Sequence, residues 1–157
     1  MLRAMEDVVG PAIDRANSLA LEQSALVIGH LRMLAIQWSK ADGYARACGA
    51  DLERLIDTLA PNDGPMTQAA ATSLAAARQT DGGAELRYKA MMAGVDALVR
   101  AAAEDGAPAF RETLKQGVLA FSSRQSLRDQ SWFAASGFDP RPDELLAVDD
   151  IIAETVR

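Results

Sequence analysis

Two side chains in this 157-residue protein are reactive enough to anchor chemistry unaided, and each type occurs once: His30 and Cys48. That count removes most metal chemistry. A zinc site draws several ligands from His and Cys, and this chain offers one of each. A carboxylate-bridged di-iron bundle needs Glu-x-x-His on two helices, and no such motif occurs. A Ser-His-Asp triad would have to use His30, yet no Gly-x-Ser-x-Gly elbow exists to present the nucleophile. We therefore expect no catalytic set, no metal and no cofactor.

The remaining features read one at a time. The string Gly29-His30-Leu31-Arg32 resembles histidine phosphotransfer modules, which are small acidic all-α bundles with an exposed His on a long helix. The resemblance implies a phosphoacceptor role for His30. Its apolar surroundings carry the other reading, a half-buried imidazole bonded to a neighbour. Cys48 has only Arg46 nearby to stabilise a thiolate, so it reads as a small buried hydrophobe. Asp81-Gly82-Gly83 lacks the Lys-Ser/Thr that completes a phosphate cradle, and reads as a turn. Asp149 and Asp150 diverge by about 100° on a helix, so they form a solvated face rather than a carboxylate pair. Trp132 and Phe133 are core residues or partner anchors, since aromatic side chains concentrate at interface centres.

What positions these residues is a stripe. Alternating steps of three and four from Ile13 pass through Asn17, Ala20, Ser24, Val27, Leu31, Leu34, Trp38, Ala41, Ala45, Cys48, Leu52, Leu55 and Leu59. Only Asn17 and Ser24 are polar, and such spacing keeps one helical face apolar for about fifty residues. The unbroken phase favours one long helix over 11–60, straight or bent, against the break signals of Gly29, Asp42-Gly43 and Gly49. Around Leu26 to Ile36 the segment is apolar nearly all round, the pattern of a helix enclosed by neighbours.

Composition agrees with an all-α fold. There are 31 alanines, aromatics make up 5%, and no segment alternates in the manner of a strand. The net charge of −6 argues against nucleic-acid binding. The nearest basic cluster, Arg111, Lys115, Arg124 and Arg128, is interrupted by Glu112 and Asp129. The single Cys fits a reducing compartment, and residues 1–11 lack the long apolar stretch of a signal peptide. Leu19 to Trp38 carries Glu22, His30 and Arg32, too much charge for an ordinary spanning helix. The expected setting is cytoplasmic, without membrane or nucleic acid. Thirteen arginines against three lysines fit the GC-rich genome of a bacterium.

The rest of the chain divides at its breakers. Residues 2–9 form a lead-in helix stopped by Gly10-Pro11. The turn Pro61–Pro65 is followed by helices near 67–78, 84–104 and 109–135. Asp139-Pro-Arg-Pro142 is a stiff linker. Behind it, 143–156 is amphipathic, with Leu145, Val148, Ile152 and Val156 on one face. This gives a helical bundle domain at 1–138 and a linker with docking helix at 139–157. The function expected is non-catalytic: an interaction or assembly protein that binds a protein partner or itself. Its candidate contacts are Trp38, Leu55, Leu59, Trp132, Phe133 and the tail residues Leu145, Val148, Ile152 and Val156. The alternatives are a ligand-binding or enzymatic domain with an apolar pocket, and phosphotransfer through His30.

Overall fold

The computed structural model describes residues 1–61, 64–137 and 139–154. Among them every regular element is helical, as the alanine-rich composition requires. A lead-in runs through α1 (Leu2–Ala4), a π turn (Met5–Val9) and α2 (Gly10–Ala12). The major helices are α3 (Ser18–Gln37), α4 (Ala41–Asp57), α5 (Pro65–Ala77), α6 (Ala84–Asp105) and α7 (Pro108–Phe133). Short 3-10 turns at Ala134–Ser136 and Pro142–Glu144 lead to α8 (Val148–Glu154). Val156 lies outside the described residues.

The all-α bundle is as the sequence implied, but the single long helix within it is divided. Residues 38–40 form a turn between α3 and α4, with the Lys40 N–H donating to Gln37 O at 2.8 Å in place of an α-helical bond. The stripe keeps its phase across this turn because the turn is itself nearly helical; Trp38 and Lys40 both sit in right-handed helical backbone. The upstream boundary also moves. Asn17 caps α3, its side chain accepting from the Ala20 N–H at 3.1 Å, so residues 14–17 stand outside the helix. Gly10-Pro11 does not stop the lead-in, because the π turn lets the Gly10 N–H reach Met5 O and the chain stays helical to Ala12.

The core is built by α4 to α7. It joins Leu52, Leu55 and Ile56 of α4, Leu74 of α5, Met91, Val95, Leu98 and Ala102 of α6, and Phe110, Leu114 and Phe121 of α7. Leu55 is therefore core, and Leu59 is half-buried against the same cluster, so neither forms an outer contact face. Helices α5 and α6 approach closely because Gly94 has no side chain: a Cβ there would stand 3.2 Å from the Leu74 Cα. Helix α5 starts at Pro65 with no cap of its own. Asp105, at the end of α6, caps it instead. Its Oδ2 accepts from the Met66 N–H (2.7 Å), and its Oδ1 from the Thr67 N–H (2.9 Å) and hydroxyl (2.6 Å). The Thr67 hydrogen bond, joined by the backbone N–H groups, holds this carboxyl below the usual value, as expected at a helix N-terminus.

The tail packs on its own chain. Ile151 is buried, and Ile152 sits over Gly43 of α4, where a Cβ would come 3.2 Å from Ile152 Cγ2. Lys40 adds a 2.7 Å ion pair to Asp149. Leu145 and Val148 are half-buried.

A buried ion pair ties α4 to α7. Asp51 is 3% exposed, and its carboxylate accepts from Arg128 Nη1 at 2.7 Å and from Arg124 Nε at 3.1 Å. Two of the four cations in the Arg111–Arg128 cluster are thereby spent on a carboxylate. Burial alone would raise the Asp51 pKa, but the hydrogen bonds and charges of the two arginines outweigh it and bring the pKa below the usual carboxylate value.

Two predictions follow from these contacts. Asp51→Asn leaves Arg128 largely buried without its charge partner and costs about 3 kcal/mol in denaturant melts at pH 7. Because the folded-state pKa lies below the unfolded one, this contribution is complete above about pH 4 and is lost as pH falls further. The wild-type and Asp51→Asn stability curves converge at acid pH. Separately, Gly43→Val overpacks the contact with Ile152 and destabilises the full chain by about 1–2 kcal/mol. In a chain truncated after Gly137 the same substitution is not destabilising, a non-additivity that thermal melts of the four proteins measure.

Candidate functional site

The α4–α7 contact that buries Asp51 continues toward the N-terminal end of α4 and there opens into a cavity of about 710 Å³. Residues 44 and 48 lie one turn apart on α4; 125, 129 and 132 lie one turn apart on α7. Antiparallel packing brings the two sets face to face. The Tyr44 hydroxyl donates to Asp129 Oδ1 at 2.9 Å. Gln125 Nε2 donates to the same oxygen at 2.8 Å and to Cys48 Sγ at 3.4 Å. The amide orientation is fixed by this pattern, since the reverse would set Gln125 Oε1 against the carboxylate. Gln125 Oε1 is left buried with no hydrogen-bond partner among the described residues.

The ring of Tyr44 stacks on Trp132 with centroids 4.2 Å apart and planes tilted by 30°. Tyr88 of α6 lines the cavity with them, and Gly82-Gly83, Glu85 and Lys89 form its rim. Burial raises the Tyr44 hydroxyl well above its ordinary pKa, with the nearby Cys48 and Asp129 adding to the effect. Burial likewise pushes Tyr88 up to about 12. Both therefore stay protonated at neutral pH. Burial also raises the Cys48 thiol, against the lowering effect of the hydrogen bond from Gln125. Cys48 is thus a protonated thiol on a cavity wall, not an activated nucleophile. Among the described residues, no group of three or more His, Cys, Asp or Glu is placed to hold a metal ion.

The second surface feature is α3. The residues expected to be enclosed around Leu26 to Ile36 are not, and only Ser24, Gly29 and Gln37 of this helix are buried. The physical reason is position. Helix α3 touches mainly the lead-in on one side and the Ala134–Ser136 turn near its C-terminal end, where Gln37 Nε2 donates to Trp132 O. The four-helix core lies beyond that end. A 20-residue helix spans about 30 Å, so most of it extends past the helices that would cover it. Leu19 (65%), Val27 (45%), Leu34 (51%) and Trp38 (85%) are exposed together on one face, with Gln23 and His30 between them.

The sequence-derived contact residues thus separate. Trp38 is fully displayed at the end of α3, and Phe133 is also exposed. Trp132 belongs to the cavity wall. His30 is exposed, and its Nδ1 lies 2.8 Å from Leu26 O, one turn back on its own helix. The sequence reading did not mark Tyr44, Tyr88 or Gln125, and took Asp129 only as an interruption of the basic cluster. The available signal was a polar and aromatic set at i, i+4 and i+7 on α7, facing Tyr44 and Cys48 at i and i+4 on α4.

Cys48 gives a direct check on the cavity. Its raised pKa and burial predict alkylation by iodoacetamide at pH 8 at no more than about a tenth of the rate of a free thiol, rising steeply above pH 9. Mass spectrometry of the intact chain over time measures both.

Comparison with known proteins returns nothing: no family model, no curated protein and no solved structure matches this chain.

Proposed function

We propose that the chain is a helical assembly protein that joins a second copy of itself through the exposed face of α3. The observation that supports this reading is the face itself. Leu19, Gln23, Val27, His30, Leu34 and Trp38 follow one another at steps of four, four, three, four and four, and all six are exposed. An exposed apolar stripe of this length marks an interaction surface, because isolated soluble domains seldom leave one uncovered.

The spacing also favours a particular occupant. Steps of 4-4-3-4-4 read the same from either end, so the face is complementary to itself under an antiparallel two-fold axis. Leu19 then meets Trp38 of the other copy, Gln23 meets Leu34, and Val27 meets His30. A two-fold interface is isologous and needs such a self-matching patch. Gln23 and His30 supply polar groups that specify alignment within an otherwise apolar seam. Helix α3 is also long and apolar enough, by length and composition, to cross a membrane, which makes lipid the competing occupant.

Sedimentation across a micromolar concentration series tests the reading. The wild-type chain should be dimeric. Leu34→Asp introduces a charge into the seam at a solvent-exposed position, so it leaves the helical circular dichroism unchanged and weakens the dimer by about a hundredfold or more. A wild-type monomer throughout, or a dimer indifferent to Leu34→Asp, overturns the proposal. Flotation of the monomer with phosphatidylcholine vesicles would assign the face to lipid instead.

A further inference from the structure

The cavity between α4, α6 and α7 is remote in role from the α3 face, and its hydrogen bonds are unevenly spent. Tyr44 and Gln125 both donate to Asp129 Oδ1, and Gln125 gives its second N–H to Cys48. The rim cation Lys89 is held by Glu85 at 2.6 Å. The open acceptor is Asp129 Oδ2, which has no hydrogen-bond partner among the described residues and sits on an exposed side chain. A ligand that meets this oxygen must bring a donor.

Charge points the same way. Three carboxylates line the cavity: Asp42, Glu85 and Asp129. Asp42 is paired with Arg46 and Glu85 with Lys89, whereas Asp129 has no ion-pair partner among the described residues. The faces beside it are aromatic, with Tyr44 and Trp132 stacked at 4.2 Å and Tyr88 on the α6 side. Electron-rich rings next to an uncompensated carboxylate attract a positive charge and reject a negative one. The volume, about 710 Å³, suits a molecule of drug size or smaller.

We infer that this cavity binds a small organic ammonium ion, its N–H groups directed at Asp129 Oδ2 and its hydrocarbon part against Tyr44, Tyr88 and Trp132. The primary amine of an aralkylamine is the simplest ligand of this class.

Calorimetric titration of the full chain with phenethylamine, 2-phenylethanol and phenylacetate separates charge from shape, because the three share a ring and a two-carbon frame or its near equivalent. Phenethylamine should bind at least about tenfold more tightly than the alcohol, the scale of one charge-assisted hydrogen bond, and phenylacetate should give no binding heat. Asp129→Asn keeps an oxygen to accept from Tyr44 and Gln125, and should bring the amine down to the affinity of the alcohol. Tyr88→Leu, on a different helix, should weaken the amine and leave phenylacetate without binding heat. Equal binding of amine and alcohol, absence of amine binding up to millimolar concentration, or full affinity in a folded Asp129→Asn protein would each overturn the inference. The comparison of ligands on the wild-type chain decides the matter even if a variant fails to fold.

Discussion

The alignment of α4 against α7 is the constraint on which the rest of the structure depends. It is set by a row of contacts running the length of the helix pair: Tyr44 with Asp129, Cys48 with Gln125, Asp51 with Arg124 and Arg128, and Leu55 against Gly117. Apolar packing alone tolerates a shift of one helical turn, since leucines are interchangeable along a seam. Polar pairs do not, because each shift would leave a buried donor, acceptor or charge unmatched. The same row that closes the core at Leu55 and neutralises Asp51 leaves the cavity at its far end. Core, ion pair and cavity are consecutive stretches of one interface.

Much of this was legible in the sequence, and the parts that were not share a cause. The alanine content and the breakers at Asp81-Gly82-Gly83 and Gly106 placed α5, α6 and α7 within a few residues of their observed bounds. Those signals are local, and local signals survive into the fold. Periodicity was less safe. The stripe from Ile13 to Leu59 correctly found Cys48, Leu52 and Leu55 as inward positions, but it ran through a turn at 38–40 without losing phase. A near-helical turn rotates the chain by about as much as a helix does, so spacing alone cannot register it.

Burial was less legible still. A segment apolar on every side reads as enclosed, and around Leu26 to Ile36 that inference failed because enclosure depends on what lies alongside. Helices α6 and α7 pack on α4, α5 packs chiefly on α6, and α3 is left mainly with the lead-in and one turn. The cavity residues were hidden for a related reason. Tyr44, Tyr88, Gln125 and Asp129 come from three helices, and no spacing within one segment announces that they will meet. Only the antiparallel α4–α7 alignment creates the set.

The manner in which α3 is attached has a mechanical consequence. The helix meets the bundle near Gln37 and the Ala134–Ser136 turn, and its remaining contacts are mainly with the lead-in, where Glu6 pairs with Arg32 and Gly10 lies against Ser24 and Ile28. It is a cantilever about 30 Å long, clamped at the 38–40 turn. A rod of that length converts a 10° change at its root into a displacement of about 5 Å at its tip. Small backbone adjustments at Trp38–Lys40 would therefore be magnified at Leu19, while the core helices remained where they are. Trp132 lies at the root, giving its carbonyl to Gln37 and its ring to the cavity wall. The clamp and the cavity share that residue, so whatever shifts one bears on the other.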